Sequence, residues 1–162
     1  MVATVTKNNL RTDPQFGGAP YGNLSLLPYH FETNSSGVWV DSDHTDAVQV
    51  GDTLILGIIP AGFQVWECIF DVSDAFTAAT TCSVGFKYID GVDSTPAEDA
   101  AIFVPATQAL SSTAIWRKTG IKAPPWFKKD AYLTLLWAGA AADAVGILDV
   151  GLIGIWKGSS LT

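Results

Sequence analysis

From residue 24 onward, short runs rich in Val, Ile, Phe, Tyr and Trp are broken at regular intervals by turn-forming groups. That punctuation constrains the chain more than any other feature. β-branched and aromatic side chains suit a pleated, half-buried surface, and Gly, Pro, Asn and Asp supply the turns between such segments. Candidate strands cover residues 24–32, 37–40, 53–59, 64–72, 82–89, 101–104, 113–117, 131–137 and 146–156. The turns between them include Asn34-Ser35-Ser36-Gly37, Pro60-Ala61-Gly62, Asp90-Gly91-Val92-Asp93 and Pro124-Pro125. The Ala-rich stretch 138–144 contains Gly139 and lies between two strands, so it reads as a hairpin loop. The expectation is an all-β fold: a single β-sandwich, jelly-roll-like, over residues 24–162.

Residues 1–23 differ. Asn8-Asn9, Asp13-Pro14, Gly17-Gly18 and Pro20-Tyr21-Gly22 interrupt any regular element, while Leu10, Phe16 and Tyr21 are spaced through the stretch as anchors. We read an extended N-terminal arm that orders on a partner. Its alternative is a frayed end.

Alternation assigns faces, because successive side chains of a strand point to opposite sides. In 64–72, Trp66, Cys68, Phe70 and Val72 form the expected core set, against Val65, Glu67, Ile69 and Asp71. In 82–89 the core set is Cys82, Val84, Phe86 and Tyr88. Paired as a hairpin around 73–81, these strands would hold Cys68 and Cys82 about 13 Å apart. That exceeds the reach of a disulfide. The expectation is two reduced, buried thiols.

Two runs break the alternation. Residues 53–59 carry Leu54, Leu56 and Ile58 on one side, with Ile55 and Ile59 on the other. Residues 146–156 place Ile147, Ile153 and Ile155 on the side opposite Leu148, Val150 and Leu152. A sheet with one wet face should be polar there. Part of the second face is therefore expected to be covered, and Ile147, Ile153 and Ile155 are candidate contacts with a neighbouring subunit or shell.

Charge narrows the partners. Sixteen acidic and nine basic residues give a net charge of −7, and the basic residues are scattered. No basic stripe exists to neutralise phosphates, so nucleic acid is not expected as a partner. An anionic membrane would repel the chain, and no apolar run reaches the length of a spanning helix. The N-terminus lacks an apolar signal core, so the chain is expected to act on the cytoplasmic side.

Catalytic signatures are missing from the sequence. It contains no phosphate-binding Gly-rich loop, no G-x-S-x-G elbow and no H-E-x-x-H. His30 lies inside a candidate strand and His44 in a polar loop. Asp41, Asp43 and Asp46 lie close together, but the calcium-loop pattern fails at its Gly and Glu positions, and a solvated turn accounts for them. Among Asp71, Asp90, Asp93, Glu98 and Asp99, no spacing selects a catalytic pair. We expect no catalytic residues, no cofactor and no metal.

Three segments carry a resemblance. They are MVATVTKNNLRTDPQFGGAPYGNLSLLPY, GDTLILGIIPAGFQVWECIFDVSDAFTAATTCSVGFKYIDGVDST and DAYLTLLWAGAAADAVGILDVGLIGIWKG. Together they resemble the small head proteins, decoration or cement proteins, encoded with the major capsid protein of tailed bacteriophages. The resemblance implies a β-sandwich that binds the outside of the phage capsid, assembled in the host cytoplasm and resident in the virion. Its implied partners are the major capsid protein and further copies of itself in a symmetric oligomer, and the apolar second face at Ile147, Ile153 and Ile155 leads us to expect a trimer before a dimer. It supplies no catalytic residues. The chain departs from that pattern in its tryptophans: Trp39, Trp66, Trp116, Trp126, Trp137 and Trp156. The competing reading is a carbohydrate-binding module or a fibre component. Trp116 and Trp126 would then form a flat exposed platform for sugar stacking.

Overall fold

The structure, a computed structural model, describes residues 3–7, 24–119, 121 and 124–157. Those residues contain no α-helix; they form nine strands in two sheets packed face to face. The strands are β1 (Thr4–Thr6), β2 (Leu24–Thr33), β3 (Thr53–Ile59), β4 (Phe63–Asp74) and β5 (Thr81–Tyr88). They continue with β6 (Asp99–Ala109), β7 (Ala114–Lys118), β8 (Ala131–Ala138) and β9 (Gly146–Trp156). One sheet has the order β1-β3-β8-β5-β6 and the other β2-β9-β4-β7.

The pairings explain how the chain closes. β5 pairs with β6, β4 with β7, β3 with β8 and β2 with β9, all antiparallel. These are the rungs of one long ribbon whose tip is β5–β6, rolled up so that β9 also meets β4 and β8 also meets β5. This is the jelly-roll arrangement of eight strands in two sheets. Every connection from β2 to β9 except β5–β6 passes from one sheet to the other.

That topology corrects two expectations. β4 and β5 do not form a hairpin; they lie in opposite sheets, and residues between them bridge the sandwich. The stretch 138–144 likewise joins β8 to β9 across the layers and is no hairpin loop. Local turn signals mark where a strand ends but carry no information about which sheet the chain enters next. The thiols still behave as expected. Cys68 and Cys82 are both free and fully buried.

A third correction concerns β4. Trp66 is not in the core; it is 45% exposed, and Val65 is buried instead. The register of β4 against β9 shifts between Val65 and Glu67. The extra residue of this bulge reverses the parity, so Phe63 and Val65 point inward before it and Cys68, Phe70 and Val72 after it. A similar shift between Ile55 and Gly57 accounts for the broken alternation of β3. After it, Ile58 and Ile59 are both buried. No cover on the outer face is needed to explain that run.

The segment 37–40 forms no strand. Its residues make only isolated bridges, Thr33 to Trp39 and Val38 to Ala47. Conversely, β1 lies within the stretch read as an arm. Thr4, Val5 and Thr6 pair in parallel with Thr53, Leu54 and Ile55, and Val5 is buried. The buried Asp52 carboxylate accepts the Ala3 and Gln49 backbone N–H groups, each at 2.8 Å, and so pins the start of β1. The proposed anchors Leu10, Phe16 and Tyr21 lie outside the described residues.

The core has two aromatic nodes. Phe31 meets Trp39, Phe76 and Trp137 at centroid distances of 5.2, 5.6 and 5.8 Å. Phe86 meets Phe127 at 4.8 Å and Tyr88 at 5.5 Å. Trp137 is fully buried, and its indole N–H donates to the Ala140 carbonyl at 2.7 Å.

Candidate functional site

The least explained surface is the outward face of the β2-β9-β4-β7 sheet. Strand periodicity sends Leu24, Leu26, Pro28, His30 and Glu32 of β2 to this face. Central β9 contributes Ile147, Asp149, Gly151, Ile153 and Ile155, which the register sets beside them. β4 adds Glu67, Ile69 and Asp71, with Trp66 pushed out by its bulge. β7 adds Ile115 and Arg117.

The face divides into two halves. Toward the end of β9 it is apolar. Leu24 is 68% exposed and faces Ile155; Leu26 is 55% exposed and faces Ile153. The Leu26 side chain lies over Gly151, where a Cβ would approach its Cδ1 to 2.9 Å. Toward the start of β9 it is acidic. His30 donates from Nδ1 to Asp149 at 2.7 Å and lies 3.6 Å from Glu32. Asp71 is the cross-strand partner of Asp149. At the far edge, Arg117 pairs with Glu67.

The three isoleucines singled out in the sequence therefore do share one outward face, and each is half-buried. Ile153 and Ile155 belong to the apolar half, whereas Ile147 lies between Glu32 and Asp74. Sequence reasoning missed Leu24, Leu26 and Ile115. Leu24 and Leu26 have the parity opposite to Leu27, Tyr29 and Phe31, but the Leu26-Leu27 step puts apolar side chains on both sides of the strand. That step hides their outward direction. Ile115, 75% exposed, sits in a strand too short to show a period.

The other candidates disperse. Asp43 accepts the Thr6 N–H at 3.0 Å, Asp41 lies 4.0 Å from the Lys7 ammonium, and Asp46 lies 3.9 Å from His44. Among the described residues no group of three or more His, Cys, Asp or Glu is placed to hold a metal ion. Trp116 is partly buried against the core. The Trp126 ring has the ammonium groups of Lys128 and Lys157 at 5.6 and 5.4 Å from its centroid. These two rings do not make the flat, open platform that sugar stacking asks for. A cavity of about 300 Å³ on the other sheet is lined by Thr4, Thr53, Lys87, Tyr132 and Thr134, with no carboxylate at its wall.

Burial sets the thiol chemistry. Desolvation pushes the Cys68 thiol from 9.0 up to about 12, opposed in part by the charge of Lys118. Desolvation raises Cys82 as well. Neither is a nucleophile at neutral pH.

The sequence matches no known protein family and no curated protein. Two solved structures match the fold over nearly the whole chain. One is a chain from the capsid of Ralstonia phage GP4, with a TM-score of 0.62 at 13% identity, covering 94% of this chain and 97% of that one. The other is a chain of the cyanophage Pam1 capsid asymmetric unit, with a TM-score of 0.52 at 16% identity, covering 92% and 96%. The chain thus shares its β-sandwich with chains of almost its own length in two phage capsids.

Proposed function

We propose that this chain is a structural protein of a tailed-phage virion, a decoration or cement protein held on the outside of the capsid and without enzymatic activity. The observation that carries the reading is the two-way, nearly full-length fold match to chains of phage capsids. The matches cover 94% and 92% of this chain and 97% and 96% of the matched chains, so the shared unit takes in nearly all of this sequence. The outward sheet face adds a reason to expect contact. Exposed Leu24, Leu26, Trp66 and Ile115 on one rigid sheet suit a docking surface better than a solvated one.

In this reading the partners are the major capsid protein and further copies of the chain, a trimer before a dimer, with Ile147, Ile153 and Ile155 on the contact face. Residues 8–23 of the N-terminal stretch, with Leu10, Phe16 and Tyr21, serve as an additional contact. The chemistry required is mechanical: a shell under internal pressure is strengthened by rigid clamps across its capsomer junctions. Cryo-electron microscopy of the parent particle tests the proposal. Density for the sandwich is expected on the outer shell surface at regular lattice positions. Its absence from the shell, or its appearance only in a fibre, would refute the assignment.

A further inference from the structure

We propose that the outward face of β2-β9-β4-β7 docks a shell surface that presents a lysine or arginine beside apolar side chains, the cation entering at Asp71 and Asp149. The inference rests on the decoration reading and names the chemistry the shell supplies.

Asp71 and Asp149 are direct cross-strand partners on the same face, and like charges so placed destabilise a sheet. Asp149 has a partner in His30. Asp71 has none: among the described residues no cation or hydrogen-bond donor reaches its carboxylate. Its neighbours across β7 and along β4 are Ile115, 75% exposed, and Ile69. An unpaired carboxylate is thus bordered by the exposed Ile115 and the half-buried Ile69, with Leu26 and Ile153 a few residues along the same sheet. A partner carrying a cation among apolar groups would relieve the repulsion while removing those side chains from water. Oppositely charged surfaces also steer encounter and fix register.

A second copy of this face does not offer that chemistry. Among the described residues its only basic side chains are Arg117, already held by Glu67, and His30, already held by Asp149. Elsewhere, Lys129 pairs with Asp90, Lys118 donates to the Ile102 carbonyl, and Lys128 and Lys157 lie over Trp126. Lys7 lies 4.0 Å from Asp41, Arg11 and Lys122 lie outside the described residues, and of the described basic residues Lys87 remains, exposed on the opposite sheet.

The test titrates parent phage particles lacking this protein with the purified full chain. Variants are Leu26→Asp, Leu24→Asp, Asp71→Asn and Asp71→Lys, each checked for native thermal melting. Leu26 and Leu24 are exposed enough for the fold to accept the change, so a lost melt at Asp71 leaves two informative variants. Leu26→Asp and Asp71→Lys are expected to weaken particle binding about tenfold or more. Asp71→Asn should also flatten its dependence on salt. If all variants decorate particles as the wild type does, this face is not the dock, while the decoration reading stands. If the wild type itself does not bind, both fall. If sedimentation without particles shows that Leu26→Asp and Lys87→Glu each dissociate a homo-oligomer, the occupant is a second copy, and a shell partner is overturned.

Discussion

At the scale of single residues, buried polar groups with one task make the sharpest expectations. Asp52 is 1% exposed, and its carboxylate satisfies two backbone donors, those of Ala3 and Gln49. Replacing it with alanine strands both, which costs about 1–3 kcal/mol by the usual penalty for an unpaired buried group. Denaturant unfolding should show that loss, and hydrogen exchange at Gln49 should accelerate. The thiols give a pH signature. The folded state holds the Cys68 proton up to about 12, whereas an unfolded thiol loses it near 9.0. A group whose folded pKa is raised stabilises fully below its unfolded value. Stability should therefore fall as pH rises from 9 toward 12, and the fall should be shallower in Cys68→Ala. At neutral pH a thiol reagent should label neither cysteine until denaturant is added. Gly37 shows how far residue-level reading reaches. The Asn34-Ser35-Ser36-Gly37 turn is plain in the sequence, and Gly37 has the φ of +72° that such a turn invites. A second constraint is not readable: a Cβ at Gly37 would lie 2.0 Å from the Ala142 carbonyl oxygen. That contact comes from a segment more than a hundred positions away, so no local pattern announces it.

At the scale of elements, strand existence was legible and strand pairing was not. Residues 53–59 and 146–156 coincide with β3 and β9, and most other runs lie within a residue or two of a real strand. Hydrophobic alternation arises from burial against a core, so it survives in the sequence. Pairing in a jelly roll is non-local: β2 finds β9 and β3 finds β8. Nothing near β4 distinguishes a hairpin partner from a strand in the opposite layer. β1 escaped notice because three residues on a sheet edge give too short a period. The bulge at Trp66 belongs here too, since one extra residue inverts the faces of everything before it. It also fixes an expectation. Trp66→Ala removes an exposed ring and should change stability by less than about 1 kcal/mol. Phe70→Ala, at a fully buried position four residues on, should cost about 3–5 kcal/mol. Equal costs in denaturant titrations would mean that the parity of β4 is wrong. The proposed docking face was half legible. Ile153 and Ile155 broke the alternation visibly, but their neighbours Leu24 and Leu26 arrive through the β2–β9 register, which only the fold defines.

At the scale of the whole molecule, the question is what the N-terminus contributes to a sandwich whose eight-stranded roll closes without it. Two mechanisms are separable. Residues 3–7 act within the fold: Val5 is buried, Ala3 and Thr6 donate to Asp52 and Asp43, and β1 covers the edge of β3. Residues 8–23, with Leu10, Phe16 and Tyr21, are proposed to act on a partner. Each such anchor contributes up to ~2–3 kcal/mol if fully buried, while ordering the backbone opposes this by about 1–2 kcal/mol per residue. Three side chains alone cannot hold the stretch, so backbone pairing with a partner edge must assist. Two truncations divide these roles. Removing residues 1–7 strips β1 and should lower stability by about 2–4 kcal/mol, from the buried Val5 and the stranded Asp52 carboxylate. The roll should still form, since its strand pairs from β2 to β9 are all retained. Removing residues 1–23 should cost no further stability in the isolated chain but should weaken particle decoration beyond the shorter truncation. Thermal melting and quantitative decoration of stripped particles read the two effects separately. Equal decoration by both truncations would restrict the clamp to the sheet face, with Leu26, Asp71 and Ile153 carrying it alone.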